Sequence, residues 1–186
     1  MIHEKDITQA TLKNIALEMV IAARTAPKGR GLNNIEICLV EGEEIKALSA
    51  KMKEIGHQYS HNAFLRDADN ILASPIIILM GSIIQPLGLK KCGMCGFKDC
   101  EEKSQYKNIP CVFNTGDLGI AIGSAASIAM DKRVDNRIMY TVGQAAMELK
   151  LFTQDIKIAY GIPLSATSKN PFFDRKPPTP KPDPKA

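Results

Sequence analysis

The sequence lacks the features that would place the protein in a membrane or on nucleic acid. Its most apolar stretch, residues 71–84, contains two serines, a proline and a glycine, so no run reaches the roughly 20 residues that cross a bilayer. The start, MIHEKD, has two acids and no apolar core, unlike a signal peptide. The net charge is +4, and +2 of it lies in residues 176–186. We therefore expect a cytoplasmic protein that binds neither a membrane nor nucleic acid.

Familiar catalytic and nucleotide-binding motifs are also missing. We find no Ser-His-Asp order, no paired carboxylates at catalytic spacing, and neither a Walker nor a dinucleotide-binding pattern. The loop at 27–33 combines two glycines with Lys28 and Arg30, so it either holds a phosphate or only connects two elements. His57 and His61 are four residues apart, but a glycine before them predicts that the helix has ended. A solvated loop is the favoured interpretation of that pair.

Hydrophobic periodicity and helix-breaking residues predict an alternation of helices and strands. The pattern indicates the α/β class, here a small mixed sheet flanked by helices. We expect one domain over residues 1–175 and a disordered Pro/Lys tail over residues 176–186, where five of eleven residues are proline. The predicted helices are 6–26, 43–56, 117–130 (buried on nearly all sides) and 135–149, the predicted strands are 35–40, 76–80 and 156–159, and residues 57–70 are predicted to be irregular.

Cysteine is the residue type that carries chemical information here. One of the five cysteines, Cys38, lies alone in a predicted strand, where a free thiol is commonly a small core residue and not a ligand. The other four follow the spacing C-x2-C-x4-C-x10-C within residues 90–112. In a protein without an export signal, such a cluster is more typical of a metal site than of disulfides. The four candidate metal ligands are Cys92, Cys95, Cys100 and Cys111.

The composition around these cysteines favours an iron–sulfur cluster and leaves zinc open. Gly93 and Gly96 allow the backbone to approach closely, and nearby lysines favour thiolate over thiol. Three ligands within nine residues and one more distant ligand suit a [4Fe–4S] cluster, whereas structural zinc sites usually have two short C-x2-C turns. Zinc is the alternative metal, and disulfides or inert thiols are the remaining interpretation.

Four stretches give the sequence a resemblance to an uncharacterised family of ferredoxin-domain proteins from anaerobic bacteria and archaea. They are ARTAPKGRGLNNIE, CGMCGFKDC, VDNRIMY and GIPLSATSKNPFFDR, which together extend from residue 23 to residue 175. The resemblance implies iron–sulfur binding through the four clustered cysteines.

A more distant resemblance is to the flavin-dependent nitroreductase fold. The helix ending in ARTAP, the strand IEICLV and the late IAYGIP occur in a comparable order. This resemblance implies a homodimer with FMN in clefts between the subunits. The arginine-rich start of nitroreductases is absent, so the flavin phosphate would have to be bound by Lys28, Arg30, Lys169 or Arg175.

These inferences combine into one leading hypothesis and one alternative. The leading hypothesis is an iron–sulfur electron-transfer protein or oxidoreductase of unknown substrate, with FMN as a second cofactor implied by the resemblance. It would exchange electrons with a redox partner protein or a small-molecule acceptor. The alternative is a zinc-stabilised interaction module without catalytic activity.

Overall fold

The protein is described here from a computed structural model, which covers residues 1–173. Six α-helices, four strands and one 3₁₀ turn at Gly29–Gly31 follow each other in the described residues. In chain order they are α1 (Glu4–Thr25), β1 (Ile35–Glu41), α2 (Glu43–Gln58), α3 (Asn62–Ile71), β2 (Ile76–Ser82), α4 (Cys100–Ser104), α5 (Val112–Asp131), β3 (Asp135–Asn136), α6 (Tyr140–Glu148) and β4 (Ile158–Ser165).

The four strands form one sheet in the order β1-β2-β4-β3. β2 is central, and all seven of its residues are buried. Every pairing between the named strands is antiparallel, so within residues 1–173 the expectation of a mixed sheet was wrong in strand direction. The α/β class and the placement of a small sheet among helices are confirmed.

Helices cover both faces of the sheet, and β2 contributes side chains to both cores. Because side chains alternate along a strand, Ile76, Ile78 and Met80 pack against α1 and α5. Ile77 and Leu79 point the other way and pack against α2, α3 and α6. The result is a three-layer arrangement in which the wholly apolar run of β2 is explained by burial on both sides.

The helix α3 replaces the irregular segment expected at residues 57–70. Its inner face carries Phe64, Asp67 and Ala68, so a charged residue interrupts the apolar pattern that would have predicted a helix. Asp67 is buried because it accepts hydrogen bonds from the Thr141 hydroxyl and the Arg66 guanidinium, both at 2.8 Å. A buried carboxylate with such partners is satisfied in the interior.

Other boundaries differ from the predictions by several residues. α2 continues through Gly56 to Gln58, and the helix expected from Asp135 begins at Tyr140 after the short strand β3. β4 continues to Ser165, beyond the predicted end at residue 159. α5 is buried on one face only, since Gly116 and several other residues along it are exposed.

Two expectations, the tail and the domain boundary, concern residues that the structure does not describe. The predicted tail at 176–186 lies beyond the described residues, and the single-domain boundary at residue 175 stays a prediction. Among the helices of residues 1–173, none combines the length and the apolar character that crossing a membrane requires.

Candidate functional site

The four clustered cysteines lie in a stretch that leaves the sheet after β2 and returns at the start of α5. We refer to residues 83–111 as the cysteine segment. Apart from the single turn of α4 it has no helix or strand, and only Leu87, Lys103 and Cys111 within it are buried. The segment therefore has almost no apolar core of its own.

One buried side chain, Asn114 of α5, holds both ends of the cysteine segment. Its amide nitrogen donates to the Gln85 carbonyl at 3.0 Å, and its amide oxygen accepts from the Gln85 N–H at 3.1 Å. The same oxygen accepts from the Cys111 N–H at 3.2 Å. The chain entering the segment and the chain leaving it are thus tied to one point at the first turn of α5. This anchor could not be found by local pattern, because Asn114 and Gln85 are far apart in sequence.

A second set of contacts ties the segment to the turn after α1. The Arg30 guanidinium donates to the Leu87 carbonyl at 2.8 Å. The Gly29 N–H donates to the Asp117 carboxylate at 3.0 Å, and a Cβ at Gly29 would overlap the Leu87 side chain. A larger residue at this position would therefore force the Leu87 side chain to shift.

The outer part of the segment carries three of the four thiols in half-exposed positions. Cys92 precedes, and Cys95 lies within, a tight turn in which the Gly96 N–H donates to the Gly93 carbonyl at 3.0 Å. Both glycines have positive φ, +73° and +88°, which other residues adopt at a cost. Cys100 is the first residue of α4 and is also half-exposed. The expected short turn between the first two thiols is present.

The fourth thiol, Cys111, is buried at the base of the segment, where it caps α5. All four cysteines are free, and their thiols are the soft donors that iron–sulfur clusters and zinc require. Within residues 1–173, however, no three His, Cys, Asp or Glu side chains form a group that could hold a metal ion. The chemistry of the donor set fits a metal centre, and their assignment as one ligand set stays a prediction.

Cys38 lies apart from these four, in β1. It is partly buried against the core on the α2 side of the sheet. Burial, with a smaller contribution from the Glu36 carboxylate, raises the pKa of its thiol to about 11. A thiol that ionises so late is a poor ligand and a poor nucleophile at neutral pH.

Two of the cations predicted to hold a flavin phosphate, Lys28 and Arg30, already donate hydrogen bonds to the backbone. The Lys28 ammonium donates to three carbonyl oxygens at the end of α1, at 2.7–3.0 Å. Burial, then the Arg24 guanidinium, lowers the pKa of Lys28, and the Asp117 carboxylate opposes that shift. Arg30 donates to the Leu87 carbonyl, as described above. A phosphate would have to displace the hydrogen bonds of Lys28, whose three donors are all used, whereas Arg30 has further N–H donors.

The remaining predicted residues lie elsewhere. Lys169 is on an exposed turn after β4, and Arg175 is outside the described residues. His57 is on α2, and His61 precedes α3, so the two imidazoles belong to different elements. The His61 Nδ1 accepts from the Ala63 N–H at 3.3 Å, which gives this side chain a structural role at the start of α3. The expectation of a solvated loop was wrong for His57, which is in α2, whereas His61 lies in the exposed connection between α2 and α3.

A cavity of about 700 Å³ lies against the inner side of the cysteine segment. It separates the segment from the chain that leads into β4. Lys103 of α4 is in its wall and is only 2% exposed. No sequence signal marks this lysine as buried, since its neighbours in EEKSQYK are polar.

Comparison of the sequence with known proteins identifies a family. Residues 107–175 match the family described as "Uncharacterized protein containing a ferredoxin domain", a range that includes Cys111 but not the other three clustered cysteines. An "Uncharacterized protein" of Archaeoglobus fulgidus is 38% identical over 184 residues, covering 95% of this chain and 98% of that protein.

The same fold occurs in solved flavoprotein structures. A nitroreductase with bound FMN from Desulfitobacterium hafniense is 16% identical, has a TM-score of 0.56, and is matched over 93% of this chain and 85% of its own. The nitroreductase CinD from Lactococcus lactis, in complex with nicotinic acid, has a TM-score of 0.59 at 12% identity, with 84% and 79% of the two chains covered. A BluB-like flavoprotein from Clostridium difficile is similar at a TM-score of 0.56 and 16% identity, over 91% and 85%. The nitroreductase-like fold expected from the sequence is confirmed.

Proposed function

Because this chain belongs to the family of uncharacterized proteins that contain a ferredoxin domain, and because it has a nitroreductase-like fold, we propose that it is an electron-transfer protein that binds a [4Fe–4S] cluster through the cysteine segment. The four ligands are Cys92, Cys95, Cys100 and Cys111. The proposal is supported most directly by one observation. Four free thiols lie in a segment that has almost no core of its own and is tied to the body at its base.

The anchored base gives each part of the segment a role. Asn114 fixes the backbone of Cys111, so this thiol is the stationary ligand at the N-terminus of α5. Peptide dipoles at a helix N-terminus favour negative charge, which suits a thiolate ligand. The turn between Cys92 and Cys95 and the start of α4 would then move toward Cys111 when the site is loaded. This rearrangement is required because the described thiols do not yet form a common group.

When bound, a [4Fe–4S] cluster would accept and release single electrons. The chain's own contribution is to hold four thiolates and to set the exposure and charge around them. Lys90, Lys91 and Lys98 lie in the same segment and are exposed, so they would partly offset the negative charge of the ligand set. The half-exposed position of the outer thiols would let a redox partner protein or a small-molecule acceptor approach closely.

FMN is not part of the proposed mechanism. Two of the residues expected to hold its phosphate, Lys28 and Arg30, already donate to backbone carbonyls, which argues against that role. Flavin would be detected by its own absorption in the same preparation, and the nitroreductase-like fold makes that measurement worthwhile.

We also propose that the protein is a homodimer. The outer side of the α1–α5 layer exposes four large apolar side chains, with exposed fractions between 49% and 64%. Large apolar side chains exposed on two neighbouring helices are the kind of surface that an interface between protein molecules would cover. Light scattering at micromolar concentration should give the mass of two chains, and a monomeric mass would contradict the proposal. The four side chains are Leu17, Ile21, Ile120 and Met130.

The decisive experiment is metal analysis of protein purified without oxygen. We expect iron and acid-labile sulfide in equal amounts, near four of each per chain, and broad absorption near 400 nm that dithionite bleaches, values typical of [4Fe–4S] proteins as an order-of-magnitude guide. EPR of the reduced sample tests for a paramagnetic cluster. One tightly bound zinc without sulfide would overturn the proposal in favour of a zinc-stabilised interaction module.

Substitutions identify the ligands. Cys95→Ser and Cys111→Ser should each lower the iron content severalfold, because each removes one soft ligand. Cys38→Ala is the matched control, since it removes a cysteine of β1 that lies outside the segment, and it should leave the iron content unchanged. Circular dichroism of every variant separates loss of metal from loss of fold. Equal iron in all three variants would show that the cysteine segment does not hold the cluster.

A further inference from the structure

The cavity beside the cysteine segment has a strongly asymmetric lining. One wall, formed by residues 83–86 after β2, is apolar. The other walls come from α4 and the residues after it and from the chain that enters β4, and they carry three lysines and one aspartate. Its lining residues are Ile83, Ile84, Pro86, Lys103, Ser104, Lys107, Asn108, Gln154, Asp155 and Lys157.

The positive charge in this cavity is only partly compensated by the protein. The Lys157 ammonium pairs with the Asp155 carboxylate at 2.6 Å. Lys103 and Lys107 have no ion pair with any of the described residues. Two cationic groups in one concave surface, without carboxylates of their own, favour binding of an anion.

Lys103 strengthens this argument because it is buried. It is among the largest of the fully buried side chains in the described residues. Its ammonium nevertheless donates only one hydrogen bond there, to the Tyr106 carbonyl at 3.2 Å. An ammonium group has three N–H donors. A buried ammonium group is favoured by a counter-charge, which a bound anion would supply.

The loop opposite Lys103 is held in place by a carboxylate outside the cavity. The Glu36 carboxylate accepts from the backbone N–H groups of Thr153 and Gln154, both at 2.8 Å. Burial alone raises the Glu36 pKa, but these donors together lower the pKa below its ordinary value. The Gln154 side chain therefore offers an amide group from a fixed backbone, and the wall that follows α4 adds the amide of Asn108.

We propose that this cavity binds a phosphorylated small molecule, with its phosphate at Lys103 and Lys107 and its less polar part against Ile83 and Ile84. The volume, about 700 Å³, is in the range of cavities that hold cofactor-sized ligands. The lysines favour a phosphate, and the apolar wall favours an organic group attached to it. None of the cavity residues is a cysteine, so the anion site and the cluster can be tested separately, even though Lys103 shares α4 with the proposed ligand Cys100.

Calorimetry on the full-length protein tests the proposal with three probes: adenosine monophosphate, adenosine without the phosphate, and inorganic pyrophosphate. We expect the monophosphate to bind at least about tenfold more tightly than adenosine, which corresponds to about 1.4 kcal/mol. Pyrophosphate should bind and compete with the monophosphate. Binding should weaken with added salt because the interaction is electrostatic.

Two variants and one control locate the site. Lys103→Met keeps the aliphatic stem and removes the charge, and the double variant Lys107→Gln/Lys157→Gln removes two exposed charges with little risk to folding. Each should weaken phosphate binding about tenfold or more. Lys91→Gln removes an exposed lysine of the same segment outside the cavity, and binding should be unchanged.

Three results would overturn the proposal. The first is that neither phosphate probe binds at about 10 mM, a concentration well above ordinary cofactor dissociation constants. The second is equal binding of adenosine and its monophosphate. The third is full binding by both lysine variants. Iron and zinc are counted on the same samples. A failed anion site with normal iron content would leave the proposed function intact, and normal phosphate binding without iron would leave the anion site intact.

Discussion

The strand β2 and the cysteine segment follow each other in the chain and are stabilised in opposite ways. β2 is buried at every position, pairs with strands on both sides and packs against helices on both faces. The cysteine segment has three buried residues in twenty-nine positions and is tied to the body chiefly by polar contacts near its two ends. The body therefore owes its order to apolar burial, whereas the segment depends on a few hydrogen bonds and on whatever it binds.

This difference indicates which part of a stable fold can acquire a binding function. A buried sheet needs no ligand to remain folded, so the body can be common to proteins with different chemistry. A segment with little core gains order from a metal centre or a bound anion, since either one supplies contacts that the chain lacks. Substitutions in the two regions should therefore have different effects, and three of them test this contrast.

The largest effect is expected in the body, from Gly143→Ala. Gly143 lies in α6 against the backbone of β4, where an added Cβ would overlap the Ala159 carbonyl and lie 2.6 Å from the Tyr160 nitrogen. Backbone atoms cannot move aside as a flexible side chain can. We expect the free energy of unfolding to fall by about 3 kcal/mol or more, measured by urea denaturation.

The matched control is Gly116→Ala on the exposed face of α5. No atom lies within 4 Å of a Cβ at that position. Because alanine favours a helix more than glycine does, this variant should be as stable as the wild type or more stable by up to about 1 kcal/mol. A loss in Gly116→Ala equal to that in Gly143→Ala would mean that close packing against β4 is not the cause.

An intermediate effect is expected from Asn114→Ala, which removes the anchor of the cysteine segment. The substitution leaves the N–H and carbonyl of Gln85 and the N–H of Cys111 without their partner. We expect a loss of about 2 kcal/mol, from unsatisfied backbone groups. Hydrogen exchange measured by mass spectrometry should become faster in residues 83–111 and stay unchanged in β2.

Thr115→Ala is the neighbouring control. The Thr115 side chain is exposed and donates only to the Val112 carbonyl at 2.9 Å, so its removal should change stability by less than about 0.5 kcal/mol. The anchoring role would be refuted if hydrogen exchange in the segment were as slow in Asn114→Ala as in the wild type.

The body was largely predictable from the sequence because its signals are local. α1 and α2 have apolar periods with helix-ending residues near their boundaries, β1 and β2 are short apolar runs, and their apolar residues lie in the two cores. α3 was missed because Asp67 occupies its inner face, and β3 was absorbed into a predicted helix because it has two residues. The burial of Asp67 depends on hydrogen bonds to its partners, and β3 depends on pairing with β4, so neither can be recognised from the neighbouring sequence.

The candidate site was predictable in composition but not in geometry. The spacing of four cysteines marks the segment, and the turn between the first two thiols follows from the glycines at positive φ. The anchor at Asn114 joins residues far apart in the chain, and the burial of Lys103 depends on how α4 docks onto the body. Both features arise from tertiary packing, which a single sequence does not encode in any short pattern.

The smallest effect concerns the pH dependence of stability and comes from the one thiol of the body, Cys38. Its pKa is raised to about 11 from an ordinary value of 9.0, chiefly by burial. As the pH rises from 9 toward 11, the unfolded chain releases this proton while the folded chain keeps it, so stability is lost over that range. Because the thiol is partly exposed, the loss by pH 10 should be below about 1 kcal/mol.

Urea denaturation at pH 8 and pH 10 isolates this contribution. Cys38→Ala should lose less stability between the two pH values than the wild type, because it has no thiol of raised pKa in the sheet. Cys95→Ala, which removes a half-exposed thiol of the cysteine segment, should lose as much as the wild type. An identical loss in the wild type and in Cys38→Ala would mean that burial in the sheet does not hold this proton. That result would remove the argument from burial for excluding Cys38 as a metal ligand, and its position in β1, apart from the other four cysteines, would be the remaining argument.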